Sequence, residues 1–237
     1  MLELTNINTA YGEVQVLWDI SLNVEEGEIV FLIGPNGHGK TTILRTISGL
    51  IKSKSGTIKF NSTEIQKLPA RKIVETGIVH VPEGDHLFPN MTVLENLKLG
   101  AYTKRAWKNR EDKLREIFHL FPVVDERKNQ LVWSLSGGER RMVSIGRGLM
   151  SDAKLLMIDE PSLGLAPKTT KEVYQEIAEI KDAGINLLIV EQNINFVSNL
   201  ANRVYLIESG KVYLQGKPEK VLNDESLRRV YLGVGKQ

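Results

Sequence analysis

A chain of 237 residues, 41% hydrophobic and 25% charged, is long enough to bury a substantial core as one large domain or one domain with an insertion. Its formal net charge of +2 argues against a nucleic-acid binder held mainly by phosphate contacts. The absence of cysteine excludes a disulfide framework, a thiolate nucleophile and a cysteine-bound metal.

Taken in chain order, LELTNIN and ISLNV read as strands of an antiparallel front portion. EIVFLI enters it through the turn at Glu25–Gly27, and TIKF (57–60) joins it. Beyond that point short apolar runs alternate with amphipathic stretches, the pattern of an α/β protein with a largely parallel sheet. The parallel core is expected to hold residues 29–33, 78–81, 155–158 and 186–190. The last two runs end in acidic or polar residues, as where strands open onto a ligand crevice. Between Val81 and Leu155 the pattern is helical. Thr92 and Glu95 form a capping box before VLENLKLGAY, a second helix is expected over residues 109–121, and a third begins at Ser136. Residues 88–150 thus read as a helical insertion between two core strands, and Lys104, Arg105, Lys108 and Arg110 as a solvated face. RVYLIESGKVYLQG reads as a hairpin turning at Ser209–Gly210. No run approaches the roughly 20 apolar residues of a spanning helix. MLELTNINTAYGE lacks the features of a secretory signal, so any membrane connection is expected to go through a partner.

Two segments carry phosphate chemistry. GPNGHGKT fits G-x-x-x-x-G-K-[ST] in full, between an apolar strand and the helix that starts with Thr41 and Thr42. Its backbone N–H groups, from Gly34, Pro35, Asn36, Gly37, His38 and Gly39 onward (Pro35 itself has none), can curl around a β-phosphate. Lys40 adds charge for the β- and γ-phosphates, and the Thr41 hydroxyl can ligate Mg²⁺. KLLMIDEP is an apolar strand ending in two carboxylates: Asp159 suits the metal, and Glu160 can polarise an attacking water. A third segment poses a puzzle. In LSGGERR, Ser136 and Glu139 form a capping box, yet Gly137 and Gly138 are poor helix formers. Such a bare helix start suits a second phosphate.

The order and spacing of Gly34–Thr42, Leu135–Arg141 and Leu155–Pro161 resemble the Walker A, signature and Walker B motifs of ABC-type ATPases, and the resemblance covers essentially the whole chain. It implies a P-loop NTPase core of mostly parallel sheet with an antiparallel β subdomain and an inserted α-helical subdomain. The whole chain, 1–237, would be one ATP-binding domain: 1–87 and 151–237 the catalytic core, 88–150 the helical subdomain. The cofactors implied are ATP and Mg²⁺. Tyr11 occupies the family's aromatic loop and would stack on adenine. Glu83 stands where glutamine is usual, contacting Mg²⁺ with Thr41 and Asp159; its charge crowds Asp159 and Glu160, and like charges disfavour one another's ionisation. Glu160 and Gln192 would be catalytic. Gln192 stands where most members have histidine and has no titration near neutrality. PSLGLAP lacks a common aspartate, and His38 replaces a common serine. Ser136, Gly137, Gly138 and Glu139 would contact the ATP held by a partner chain, so that each chain holds two half-sites.

Two classes of ABC protein stay open: a transporter ATPase, or a soluble member acting on ribosomes or DNA. One cassette without a heptad arm favours the transporter. A kinase or simple NTPase is the enzyme-only alternative. LFPNMTVLENL, DEPSLGLAP, LLIVEQN and the ending LRRVYLG are similar to the second ATPase subunit of branched-chain amino acid uptake systems, with urea or short-chain amide uptake as the alternative. The partners implied are a second ATP-binding subunit, identical or paralogous, transmembrane permease subunits and, indirectly, a periplasmic or extracellular binding protein, with no nucleic acid. The implied location is the cytoplasmic face of the membrane, with Leu87, Phe88 and Met91 as candidate groove residues facing the permease.

Overall fold

The computed structural model describes residues 1–232; Gly233, the last residue of LRRVYLG, lies outside the described residues. The first part of the chain runs through strands β1 (Leu2–Tyr11), β2 (Val14–Val24) and β3 (Ile29–Ile33), helix α1 (Lys40–Ile47), strands β4 (Ser53–Phe60) and β5 (Thr63–Glu64) and helix α2 (Ala70–Thr76). Strand β6 (Ile78–Val81) follows, then helices α3 (Val93–Gly100), α4 (Lys104–Lys108), α5 (Arg110–Leu120), α6 (Pro122–Glu126) and α7 (Gly137–Leu149). The chain continues with β7 (Leu155–Asp159), α8 (Pro167–Asp182), β8 (Asn186–Glu191), α9 (Val197–Leu200), β9 (Arg203–Glu208), β10 (Lys211–Gly216), α10 (Pro218–Leu222) and α11 (Glu225–Leu232). These elements pack as two compact units, one of Met1–Ile73 with the chain from Asn186 onward, the other of Val74–Ile185. The expected helical segment 88–150 lies inside the second unit, together with β6, β7 and α8.

The first unit contains an antiparallel sheet in the order β2-β1-β4-β5. Its inward residues, among them Leu2, Leu4, Ile7, Leu17, Ile20 and Ile58, are buried, the one-sided pattern of such a sheet. The run EIVFLI does not belong to it. All five residues of β3 are buried, and the strand lies between β8 and β9, parallel to both. A strand apolar on both faces needs cover on both, which the parallel arrangement supplies and a half-solvated antiparallel sheet does not. β9 turns back into β10 through Ser209–Gly210. A polar knot joins β2 to β9: the Tyr205 hydroxyl donates to Asn23 Oδ1 at 2.8 Å, and Arg203 donates to the same oxygen at 2.7 Å and to Glu28 Oε1 at 2.9 Å.

In the second unit β6 and β7 pair in parallel, Ile78 opposite Leu155 through Val81 opposite Ile158. Helix α3 starts at the Thr92–Glu95 capping box. Asn96, fully buried on this helix, accepts from the Phe88 N–H at 2.8 Å and donates to the Phe88 and Thr92 carbonyls at 3.0 Å each, which fixes the loop before the helix. Lys104–Lys108, read in the sequence as a charged face, forms the short helix α4 behind a Thr103 cap.

Helix α8 carries an unusual carboxyl. Burial pushes Glu176 up to about 7, with the charge of Glu179 adding to the effect, and its Oε2 lacks a hydrogen-bond partner. A carboxyl so raised binds more protons folded than unfolded. It is neutral in both states below about pH 4, and it costs stability increasingly as pH climbs from there to about 7. Glu176→Gln is therefore expected to leave the unfolding free energy unchanged near pH 4 and to raise it by about 1 kcal/mol at pH 8. That is less than the whole shift implies, because water screens a group this accessible. Urea denaturation at the two pH values measures the difference.

Candidate nucleotide site

In the first unit the loop 34–39 leaves β3 and enters α1. Lys40 is buried, and its ammonium donates to the carbonyl oxygens of Gly34 at 2.8 Å and Pro35 at 2.9 Å. The loop therefore curls around its own lysine. Gly34 allows the curl: its φ is +144°, and a Cβ there would stand 2.2 Å from the Ile207 carbonyl oxygen of β9. The Gly34 N–H donates to the Tyr231 hydroxyl of α11 at 3.0 Å, so the loop's first amide is held by the C-terminal helix. The exposed stretch Asn36–Gly37 forms its tip, and a Cβ on Gly37 would meet no atom within 4 Å. A buried cation, convergent backbone and an open tip fit a polyphosphate.

Two further expected residues come to this loop. The Tyr11 hydroxyl at the end of β1 lies 3.5 Å from Thr42 Oγ1 and accepts from Arg45 Nη1 at 3.4 Å, with the ring 43% exposed and so open to stacking. Glu191 pairs opposite Ile33, the residue before Gly34, so Gln192 and the phosphate loop leave adjacent strands at the same end. The Glu191 carboxylate is buried and accepts from the N–H groups of Gln192 at 2.8 Å and Asn193 at 2.9 Å, which fixes the chain where Gln192 departs.

The second unit gathers the carboxylates. Because Val81 pairs opposite Ile158, Glu83 and the pair Asp159–Glu160 leave β6 and β7 at a common end. Asp159 and Glu160 are both buried, and Glu83 is exposed. Glu160 takes φ +46°, a left-handed conformation rare for a non-glycine residue and ahead of Pro161. Helix α7 begins as the sequence implies: Ser136 Oγ accepts from the Glu139 N–H, and Glu139 Oε2 accepts from the Ser136 N–H at 2.7 Å. Burial alone would push the Glu139 carboxyl up; bonds from Ser136 and Arg127 outweigh it and hold the carboxyl below its ordinary value. Its oxygens are thus engaged in shaping the helix start, which leaves the exposed Ser136 as the outward group.

One residue here escaped the sequence reading. Arg141, in the same LSGGERR segment, is buried. Its Nε lies 3.2 Å from Asp85 Oδ1, an ion pair without hydrogen-bond alignment, and its Nη atoms donate long bonds of 3.4 Å to the carbonyls of Pro82 and Glu160. It fastens the Glu83 loop and the Glu160 turn to the signature helix. The signal was available: three and four residues apart, Gly138, Arg141, Ile145 and Leu149 occupy one stripe of α7, and all are buried. Arg141→Met should leave Asp85 with Arg140, 3.9 Å away, as its remaining ion pair, and should lower the unfolding free energy by about 1–2 kcal/mol through the lost bonds to the carbonyls of Pro82 and Glu160. It should also reduce kcat for ATP by more than it raises KM, measured by denaturation and steady-state hydrolysis.

The family model described as ABC transporter matches residues 17–163. The chain is 40% identical over 235 residues to the high-affinity branched-chain amino acid transport ATP-binding protein BraG of Pseudomonas aeruginosa, covering 98% of this chain and 100% of that one. It is 34% identical over 235 residues to the lipopolysaccharide export system ATP-binding protein LptB of Haemophilus influenzae, covering 98% and 97%. Among solved structures, the ADP conformation of MJ1267, an ATP-binding cassette of an ABC transporter, superposes with a TM-score of 0.87 at 28% identity over 99% of both chains. The dimeric, post-hydrolysis cassette MJ0796 bound to ADP and Pi does so at 0.78 and 26%, over 92% of this chain and 99% of that one. The chain belongs to the ABC transporter family as an ATP-binding cassette, an ATPase whose hydrolysis is coupled to transport.

Proposed function

We propose that this cassette powers an importer of branched-chain amino acids, as one of two ATP-binding subunits, identical or paralogous, docked on transmembrane permease subunits and served by a substrate-binding protein outside the membrane. The observation that carries the substrate class is the 40% identity to BraG across nearly the full length of both chains. The identity of 34% to LptB supports a second reading, lipopolysaccharide export. Among the described residues no helix is long and apolar enough to cross a membrane. On this reading the chain lies against the cytoplasmic face of the permease through the segment around Leu87, Phe88 and Met91, where Phe88 is 51% exposed. Co-purification with the permease subunits, followed by uptake assays in proteoliposomes, separates the two readings. Leucine or valine uptake dependent on ATP supports the first, and its absence with lipopolysaccharide-stimulated hydrolysis supports the second.

In the proposed chemistry the loop 34–39, Lys40, Thr41 and Thr42 bind the phosphates, and Tyr11 stacks on the base. Thr41, Asp159 and Glu83 would hold Mg²⁺, which when bound screens the phosphate charge. Glu160, set by its left-handed backbone, orients or deprotonates the attacking water. Gln192 donates to the γ-phosphate through its amide. Ser136, Gly137 and Gly138, at the capped start of α7, meet the nucleotide of the second copy, with Glu139 holding that end in shape.

Shared sites have a measurable consequence. Glu160→Gln alone is expected to slow hydrolysis about 10²–10⁴-fold at the site that holds it, and Ser136→Arg alone to disable only the site its segment completes, with the dimer still able to form. In a mixed dimer one site carries both lesions and the other carries none. An equal mixture should therefore recover about a quarter of wild-type hydrolysis, since half the dimers are mixed and each keeps one intact site. Independent monomers would give only the mean of the two inactive variants.

A further inference from the structure

His38 stands in the phosphate loop, yet its side chain faces the other way, toward the hairpin of β9 and β10. That hairpin turns on Ser209 and Gly210, with φ of +48° and +75°, the signs of a type I′ turn. In such a two-residue turn the flanking strands make no use of the N–H groups of the two central residues. Here His38 takes both. The Ser209 N–H donates to His38 Nδ1 at 3.0 Å, and the Gly210 N–H donates to the His38 carbonyl at 3.1 Å. The turn is pressed in from behind as well. The Gly210 carbonyl accepts from the Trp18 N–H at 2.8 Å, and a Cβ on Gly210 would stand 1.9 Å from the Val16 carbonyl oxygen. Serine is a costly residue at positive φ, and the contact with His38 offsets part of that cost.

The peptide between His38 and Gly39 is planar and trans, so its C=O and N–H point in opposite directions. Fixing the His38 carbonyl on the hairpin therefore turns the Gly39 N–H away from the hairpin. The carbonyl contact needs no particular side chain. The second contact, Nδ1 to Ser209, needs an acceptor three bonds from Cα, which neither alanine nor a backbone group at this position provides.

We propose that the His38 imidazole is a positioning residue: with the Ser209–Gly210 turn it latches the phosphate loop so that the Gly39 N–H is held ready for a nucleotide phosphate. The proposal rests on the reading of residues 34–42 as the nucleotide loop. It assigns a role in binding, with the imidazole itself touching neither nucleotide nor water.

The test uses the whole chain with MgATP. His38→Ala is expected to raise KM for ATP roughly three- to ten-fold, the worth of one hydrogen bond, while kcat stays within about two-fold. His38→Asn, whose Oδ1 sits where Nδ1 does along the side chain, should restore wild-type KM. His38→Gln, whose oxygen lies one bond further out and better matches the ring in size, should not. In the ¹⁵N spectrum of wild-type protein the imidazole should be the tautomer protonated on Nε2, a readout independent of whether any variant folds. The latch is overturned if His38→Ala keeps wild-type KM, if glutamine rescues as well as asparagine, or if Nδ1 carries the proton. Lys40→Ala is the separate control: if it retains nucleotide affinity, the loop itself has been misassigned, whereas loss of affinity there with no effect at His38 overturns the latch alone.

Discussion

A buried ammonium sets the terms for the first unit. A cation out of water is tolerated only where fixed dipoles replace its hydration, and the carbonyls of Gly34 and Pro35 supply them at 2.8 and 2.9 Å from Lys40 Nζ. For two carbonyls to converge on a lysine five and six residues ahead, the backbone must double back immediately after β3. Doubling back brings Gly34 against the Ile207 carbonyl, where no side chain fits. That contact exists because β9 runs beside β3 with Phe31 opposite Val204 and Ile33 opposite Leu206. Lysine, glycines, strand order and the C-terminal helix that holds the Gly34 amide are therefore one linked requirement, with the phosphate loop at its centre.

The second unit meets a parallel demand with a guanidinium. Arg141 is buried, and the five donors of its fixed fork can address several acceptors at once. The ion pair with Asp85 supplies the counter-charge, and the carbonyls of Pro82 and Glu160 supply the rest. The Glu83 loop is held again where Ser144 Oγ donates to the Asp85 carbonyl at 2.8 Å. One helix thus carries the signature segment at its start and the anchor for two carboxylate-bearing loops one turn later. The helix that bears the signature segment and the Glu160 turn are thus joined by a bond within the same unit.

Most of this was legible where local chemistry dictates local structure. The strand–loop–lysine–helix run, the two capping boxes, the 29–33 and 78–81 strands and the Ser-Gly hairpin each follow from residues adjacent in sequence, and each is formed. Reading failed where partners come from far along the chain. EIVFLI reads as belonging both to the antiparallel front and, over 29–33, to the parallel core, because nothing local tells a buried parallel strand from a buried antiparallel one; its parallel partners, β8 and β9, begin over 150 residues later. Thr63–Glu64 is too short to show a period. Arg141 carries no signal of its partners from its neighbours in sequence, since these partners, Asp85 and the Glu160 carbonyl, lie 56 residues before it and 19 after. His38 stands out in the sequence only as a replacement for a common serine, because its partner, Ser209, is 171 residues away. Gly138 stands out in the sequence as a poor helix former at a bare helix start. A Cβ there would stand 2.2 Å from Thr169 Cγ2 of α8, so close packing gives a second reason for it.

The atypical residues of the site share a physical pattern. Phosphate recognition by backbone amides and a lysine is indifferent to many side-chain exchanges nearby, provided the backbone stays where it is. At each exchanged position a different residue holds the backbone. Glu191 caps the chain at Gln192, Arg141 grips the loop bearing Glu83, and the Ser209–Gly210 turn grips the loop at His38. On the proposed chemistry, positioning and reacting would fall to separate residues: the backbone at 192 and 83 is held by buried partners, Glu191 and Arg141, rather than by the side chains these positions present. An exchange of the presented side chain would then leave the loop geometry in place.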